Sequence, residues 1–313
     1  MFAGVRDAVG RRLRARIWTL IEGQVAAAVD QSSPASDDVL SSRRIASRAL
    51  PRPRSGALIT VPGIVERESD ALPLPPEELW AVHSDYLAFG ERDAGTLRRL
   101  CAEHGLQVTG SLRVLDFGCG TGRVLRHLID VTDEGEVWGA DLDSARIDWC
   151  RANLTPPFRF LTLNTAPHLP FEDNYFDLII GGSVFTHITD QDDSWLLELR
   201  RVARPGALLY LSVMDQDMIA SVQSEAGDTP YTDWFHRGLD SEHDLDAAFD
   251  EGVDALKNGA GMFAVGDHSI IPDVFHDREY LRAHWGSLLE WVAVEDKAWF
   301  KQAVVILRKP VAR

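Results

Sequence analysis

The chain has 313 residues, enough to bury a real core in one large domain with additions or in two small ones. Its 48 acidic and 32 basic side chains give a formal net charge of −16. That argues against nucleic acid or an anionic membrane as the main partner, because phosphate binding needs clustered Lys and Arg. The three cysteines, Cys101, Cys119 and Cys150, have no close pairing, which fits free thiols in a reducing cytoplasm and excludes a disulfide framework or structural zinc.

Residues 2–30 read as one amphipathic helix, with Leu13, Ile17, Leu20, Ile21 and Val25 at helical spacing. Residues 1–54 hold ten Arg, no Lys and five acids, so +5, which leaves −21 for the rest. An arm of opposite charge to its body suggests a homo-oligomer contact or a clasp, with membrane-surface docking as the sharper alternative. No apolar run is long enough to span a membrane, and Glu22, Gly23 and Gln24 break the stretch that a secretory signal would need. Residues 31–76, rich in Ser, Pro, Arg and Asp, read as a linker. Pro75-Pro76-Glu77-Glu78 then opens a helix carrying Leu79, Trp80, Val82, Tyr86, Leu87 and Phe89. A second helix is predicted from Ala94 to His104, ended by Gly105.

From Leu112 onward strands and helices alternate, which predicts a parallel sheet with helices on both faces. The predicted strands are 112–117, 136–141, 158–163, 177–182, 207–213, 289–295 and 302–308, the last two forming a hairpin. Helices are predicted over 122–130, 144–153, 191–203 and 277–287. The first strand runs into Asp116-Phe117-Gly118-Cys119-Gly120-Thr121-Gly122, where bare backbone N–H groups and a helix start are presented to a ligand. The spacing is neither the G-x-G-x-x-G of dinucleotide sites nor a P-loop, which would need a following Lys. It resembles motif I of the class I S-adenosylmethionine-dependent methyltransferases, D-x-G-x-G-x-G.

That resemblance covers roughly residues 80–310. It implies a Rossmann-like, doubly wound α/β fold with seven strands, the last antiparallel. It also implies S-adenosylmethionine as cofactor. The domains are then an N-terminal helical arm (1–30), a linker (31–76) and the cofactor-binding domain (77–313), with residues 214–276 as a substrate cap inserted after the fifth strand. Residues 214–276 are too long for a simple connection.

Each part of such a cofactor makes its own demand. Asp141, a strand-ending acid about twenty residues past the glycine loop, is placed to accept from a ribose diol; Asp143 fits the cap of the following helix. The resemblance puts Leu142 against the adenine face. Leu169-Pro170-Phe171 through Phe176-Asp177 looks like the family's D-A-x-x-L-P-F-x-x-x-x-F-D segment, but the usual acid is missing, and Asn164 or Thr165 stands in its place to meet the adenine edge. Gly118, Cys119, Gly120 and Gly122 cradle the methionine end, with Asp116 facing the ammonium, Gly182 and Ser183 giving small residues at the fourth strand's end, and Tyr86 as a lid.

The run Ser183-Val184-Phe185-Thr186-His187-Ile188 is similar to one in family relatives and borders the carboxyl ends of the strands, where open α/β sheets bind ligands. His187 and His276 are the candidate catalytic bases. His276 resembles a substrate-facing histidine of sugar-tailoring members. The spacing around Asp267, His268, Asp273, His276 and Asp277 matches no metal signature, so no metal is expected. Residues 214–276 hold fourteen acids against Arg237 and Lys257, which disfavours a phosphorylated acceptor. The expected activity is methylation of a small-molecule hydroxyl on a sugar or secondary metabolite. The alternatives are N-methylation of a small amine and a non-catalytic scaffold that binds the cofactor.

Overall fold

The computed structural model describes residues 58–59, 72–80, 85–223, 245–265 and 272–311. The expected helix at 2–30, most of the linker and the cap residues 224–244 and 266–271 lie outside them.

A mixed sheet organises the described chain. Its strands are β1 (Leu58–Ile59), β2 (Arg113–Phe117), β3 (Glu136–Asp141), β4 (Arg159–Thr162), β5 (Phe176–Gly181), β6 (Ala203–Val213), β9 (Glu290–Trp299) and β10 (Gln302–Arg308), in the spatial order β1-β4-β3-β2-β5-β6-β10-β9. From β4 to β6 the pairing is parallel. β10 runs antiparallel to both of its neighbours. The seven expected strands are all present, and the edge gains β1, two residues of the stretch read as linker, antiparallel to β4. The order reverses between β2 and β5, which opens a crevice above their carboxyl ends.

The sequence dictates this burial. Leu178, Ile179 and Ile180 of β5 are all fully buried, the continuous apolar run of a strand covered on both faces. One face packs against α3 (Asp192–Val202) and α6 (Arg278–Leu288) through Trp195, Leu196, Leu199, Leu281 and Trp285. The other packs against α1 (Tyr86–Glu103) and α2 (Ser144–Leu154) through Leu97, Leu100, Ile147 and Leu154. Asp143 caps α2, accepting from the backbone N–H of Ala145 and Arg146.

Three elements differ from expectation. The two helices expected between residues 77 and 104 are a single turn at Glu77–Leu79 and one continuous α1. Gly90 sits inside α1 because a Cβ there would lie 2.3 Å from the Arg123 carbonyl oxygen; it serves close packing, not a break. The helix expected at 122–130 is a tighter run, Leu125–Asp133, interrupted at Leu128. β6 begins at Ala203, four residues before the expected strand.

Beyond β6 come α4 (Gln216–Gln223), α5 (Leu245–Lys257), and the two-stranded ribbon of β7 (Met262–Val265) and β8 (Asp273–His276). Phe249, Val253, Val265 and Phe275 close a small core of their own with Met214 and Met218. β8 is stitched to the main sheet's carboxyl edge: Val274 N–H donates to the Thr186 carbonyl, and His276 N–H to that of Met214. Among the described residues no helix is long and apolar enough to cross a membrane.

Candidate active site

The crevice is floored by the glycine loop. Gly118, Gly120 and Gly122 have φ of 82°, 53° and 76°, the left-handed region that favours glycine. A Cβ on Gly118 would meet Val184 Cγ2 at 2.2 Å, whereas one on Gly120 would meet nothing within 4 Å. Gly118 is thus small for the fold, and Gly120 borders the open crevice. The loop is tied to β3: Gly118 and Cys119 N–H donate to the Ala140 carbonyl, and Gly120 N–H donates to Asp141 Oδ2 at 2.7 Å. Asp141 Oδ1 accepts from Asp143 N–H at 2.8 Å. Each carboxylate oxygen keeps capacity for a further donor.

Asp116 is 5% exposed, and no described residue donates to its carboxyl group. Burial raises its pKa to about 7, against the lowering influence of Arg123, and Asp141 adds to the rise. Arg123 is occupied elsewhere. It pairs with buried Asp93 at 2.6 Å and stacks on the Trp299 and Phe300 rings. Asp116 is therefore a buried acid short of a cation at the end of β2. Asp93 and Arg123 are thirty residues apart, and no local pattern links them.

Tyr86 opens α1 and reaches over the loop. Its hydroxyl donates to the Thr121 carbonyl at 2.9 Å and lies 3.0 Å from Thr121 Oγ1, and its burial raises its pKa to about 12. The Trp80 ring lies against it with centroids 5.2 Å apart. Arg126, beneath the Tyr86 ring, donates to the carbonyls of Leu72 and Pro73 and fastens that segment to the same corner.

Cys119 is buried, its Sγ directed at the Gly120 carbonyl, and desolvation pushes its thiol well above the ordinary range. This is a packing thiol. Gly182 leaves room for Trp299, whose ring carbons would lie 2.1 Å from a Cβ there. Ser183, at φ 55°, is committed to the fold: its N–H donates to Ser212 Oγ, its hydroxyl donates to Gln302 Oε1 and accepts from Trp299 Nε1. Leu142 is 55% exposed beside Asp141. Asn164 and Thr165 are exposed, and Asn164 Oδ1 accepts from Ala166 N–H in a local turn.

The two histidines sit differently. His187 Nδ1 lies 2.9 Å from the Pro272 carbonyl oxygen. A carbonyl only accepts, so Nδ1 carries a proton, and in the neutral ring the lone pair is on Nε2. The side chain is 32% exposed, and Asp273 Oδ1 stands 3.7 Å from Nδ1. His276 is fully buried in β8, its ring against Trp285 and both ring nitrogens without partners. Desolvation lowers its pKa to about 4. Asp277 caps α6, and Arg278 pairs with buried Asp215 and with Asp217 and Asp296. Among the described residues no group of three or more His, Cys, Asp or Glu is placed to hold a metal ion.

Comparison with known proteins gives a consistent pattern. Residues 114–206 match the family described as methyltransferase domain. Over 169 residues the chain is 28% identical to the phthiotriol/phenolphthiotriol dimycocerosates methyltransferase 1 of Mycobacterium ulcerans, covering 54% of this chain and 60% of that one. Over 150 residues it is 31% identical to the ubiquinone/menaquinone biosynthesis C-methyltransferase of Chromobacterium violaceum, covering 46% and 61%. The chain thus spans about three fifths of the length of these two relatives. The PH0226 protein of Pyrococcus horikoshii shares the fold with a TM-score of 0.50 at 16% identity, over 74% of this chain and 97% of that one.

Proposed function

We propose that residues 114–206, which match the family described as methyltransferase domain, are of the class I, S-adenosylmethionine-dependent type, and that the chain methylates a hydroxyl of a small-molecule acceptor, with His187 as the base. The observation that carries the reading is the crevice itself: an unpartnered buried acid, Asp116, beside the open face of Gly120 and the carboxylate of Asp141.

These residues fit the cofactor's parts. Asp116 would face the ammonium, the open backbone face at Gly120 would take the methionine end, Asp141 would accept from the ribose hydroxyls, and Leu142 with Asn164 or Thr165 would border the adenine. Tyr86 would close the corner, held by Thr121. S-adenosylmethionine bound there supplies an electrophilic methyl group on a sulfonium. The protein's part is to hold an acceptor in line, where proximity contributes much of the rate, and to take its proton. As the acceptor oxygen took the methyl group, its hydroxyl proton would pass to His187 Nε2.

His187 is better placed than His276 for that proton, being partly exposed with its tautomer fixed. His276, held neutral in the core, suits a packing or hydrogen-bonding role beside the acceptor pocket. A second reading, C-methylation, is supported by the resemblance to the ubiquinone/menaquinone C-methyltransferase. The test is transfer of labelled methyl to a panel of hydroxyl, amine and activated-carbon acceptors, alongside calorimetric binding of S-adenosylmethionine. His187→Ala is expected to cut the rate about 10²- to 10⁴-fold while leaving binding intact. Binding without transfer to any acceptor would favour a scaffold. A full rate in His187→Ala would remove His187 as the base.

A further inference from the structure

β8 brings a carboxylate to His187 from 86 residues away in sequence. Asp273 is 7% exposed, and its Oδ1 is buried with no hydrogen-bond partner. Among the described residues, the cationic group it could meet is the His187 ring, at 3.7 Å: inside ion-pair range, beyond a hydrogen bond. An orphaned buried acceptor is costly, so natural proteins keep few of them without a use. Nδ1–H is meanwhile engaged by the carbonyl of Pro272, the residue next to Asp273. A small shift of the segment at 272–273 would exchange a neutral acceptor for a charged one on the same N–H.

We propose that Asp273 is a positioning residue for His187, taking over the Nδ1–H as the ring accepts a proton at Nε2 and stabilising the imidazolium so formed. The proposal rests on His187 being the base. It adds a partner that acts through His187 without touching the acceptor. The other groups around β8 are engaged or non-ionising. β7 supplies only Met, Phe, Ala and Val; on α4, Asp217 turns to Arg278; Asp215 is held by Arg278; and Asp277 accepts from Gln216 and from Tyr280 N–H. His276, on the same strand, faces Trp285. Of the described residues, His187 is thus the ionisable neighbour of Asp273. Desolvation raises the Asp273 pKa to about 6, and the His187 ring opposes that rise.

The experiment is a nitrogen-15 NMR titration of the histidine rings in the full chain, loaded with S-adenosylhomocysteine, for the native protein, Asp273→Asn and Asp273→Glu. The His187 ring pKa is expected to fall by about one unit or more in Asp273→Asn, the size of effect expected for an opposite charge at this distance, and to recover in part in Asp273→Glu. The acidic limb of the kcat/KM profile should move with it, with KM little changed. Asp273→Ala serves if Asp273→Asn folds poorly. An unmoved His187 titration in a folded Asp273 variant, with His187→Ala inactive, overturns the role of Asp273 alone. Full transfer by His187→Ala overturns the base assignment and this proposal with it.

Discussion

The cofactor side and the acceptor side of the crevice treat their polar groups in opposite ways. Around the glycine loop nearly every group has an internal answer: Ala140 accepts from two loop amides, Asp141 from Gly120 and Asp143, and Thr121 from Tyr86. Asp116 is the exception. Around β8 the exceptions accumulate, since Thr186 Oγ1, Asp273 Oδ1, both ring nitrogens of His276 and Trp285 Nε1 are all buried and unpartnered. A site for one fixed ligand can be pre-organised by backbone, at little cost on binding. A pocket whose donors and acceptors wait for a partner is one where the acceptor decides the fit, and where sequence alone says little.

The largest test of this contrast lies within the loop. Gly118→Ala forces a Cβ into Val184 at positive φ, and is expected to cost about 3 kcal/mol from overpacking and left-handed strain together. Gly120→Ala, with open space, should cost only about 1 kcal/mol of stability yet lose most S-adenosylmethionine binding, because its Cβ enters the crevice. Denaturant titration and calorimetry on both variants separate the effects. Equal loss of stability in the two would mean that the loop is not divided into a fold side and a ligand side.

Asp141→Asn comes next. It keeps one oxygen acceptor for the two backbone donors it now serves and removes the charge, so affinity for the cofactor should fall about 10- to 100-fold, or roughly 1.5–3 kcal/mol. A change under about threefold would place the ribose away from β3.

Asp116 makes the cofactor side sensitive to pH. Its folded pKa of about 7 lies above the ordinary carboxylate value, so the ligand-free protein holds the proton below pH 7 while a cationic ligand requires the ionised form. Binding should then release a proton near pH 6, and affinity should weaken by up to about tenfold per pH unit below 7. The sign for stability is the opposite of that for a salt-bridged acid: the ligand-free fold loses this contribution as pH rises from about 4 to 7. Calorimetry in buffers of different ionisation enthalpy reads the proton directly. A Kd flat from pH 5 to 8 would mean that the ligand's cation lies elsewhere.

The legible part of the chain follows the same division. The strand–loop–helix run from Arg113, the carboxylate ending β3 and the antiparallel β10 are local patterns, and their periodicity and spacing carried them. Two helices were expected where α1 runs on through Gly90, and the Arg123 carbonyl that Gly90 accommodates lies thirty-three residues away, beyond any local pattern. The pairing of His187 with Asp273 had no local signal at all, since only the placement of β8 against Thr186 and Met214 joins them. Ser183 looked like a cofactor contact by position, while its hydroxyl serves Gln302 and Trp299 from a hairpin more than a hundred residues on.

The smallest expected effect concerns the adenine. Leu142 is a large apolar side chain more than half exposed beside Asp141. If an adenine covers it, Leu142→Ala should weaken S-adenosylmethionine by about 1 kcal/mol, or roughly fivefold, the value of re-burying about half a leucine. Stability should change by no more than about 0.5 kcal/mol, as for an exposed surface position. Asn164→Ala differs in kind, because it also removes the acceptor of Ala166 N–H and loosens the turn that shapes the rim. Weaker binding in Asn164→Ala with none in Leu142→Ala would move the adenine from the β3 end to the β4 end of the crevice, and would leave Asp141 with the ribose alone.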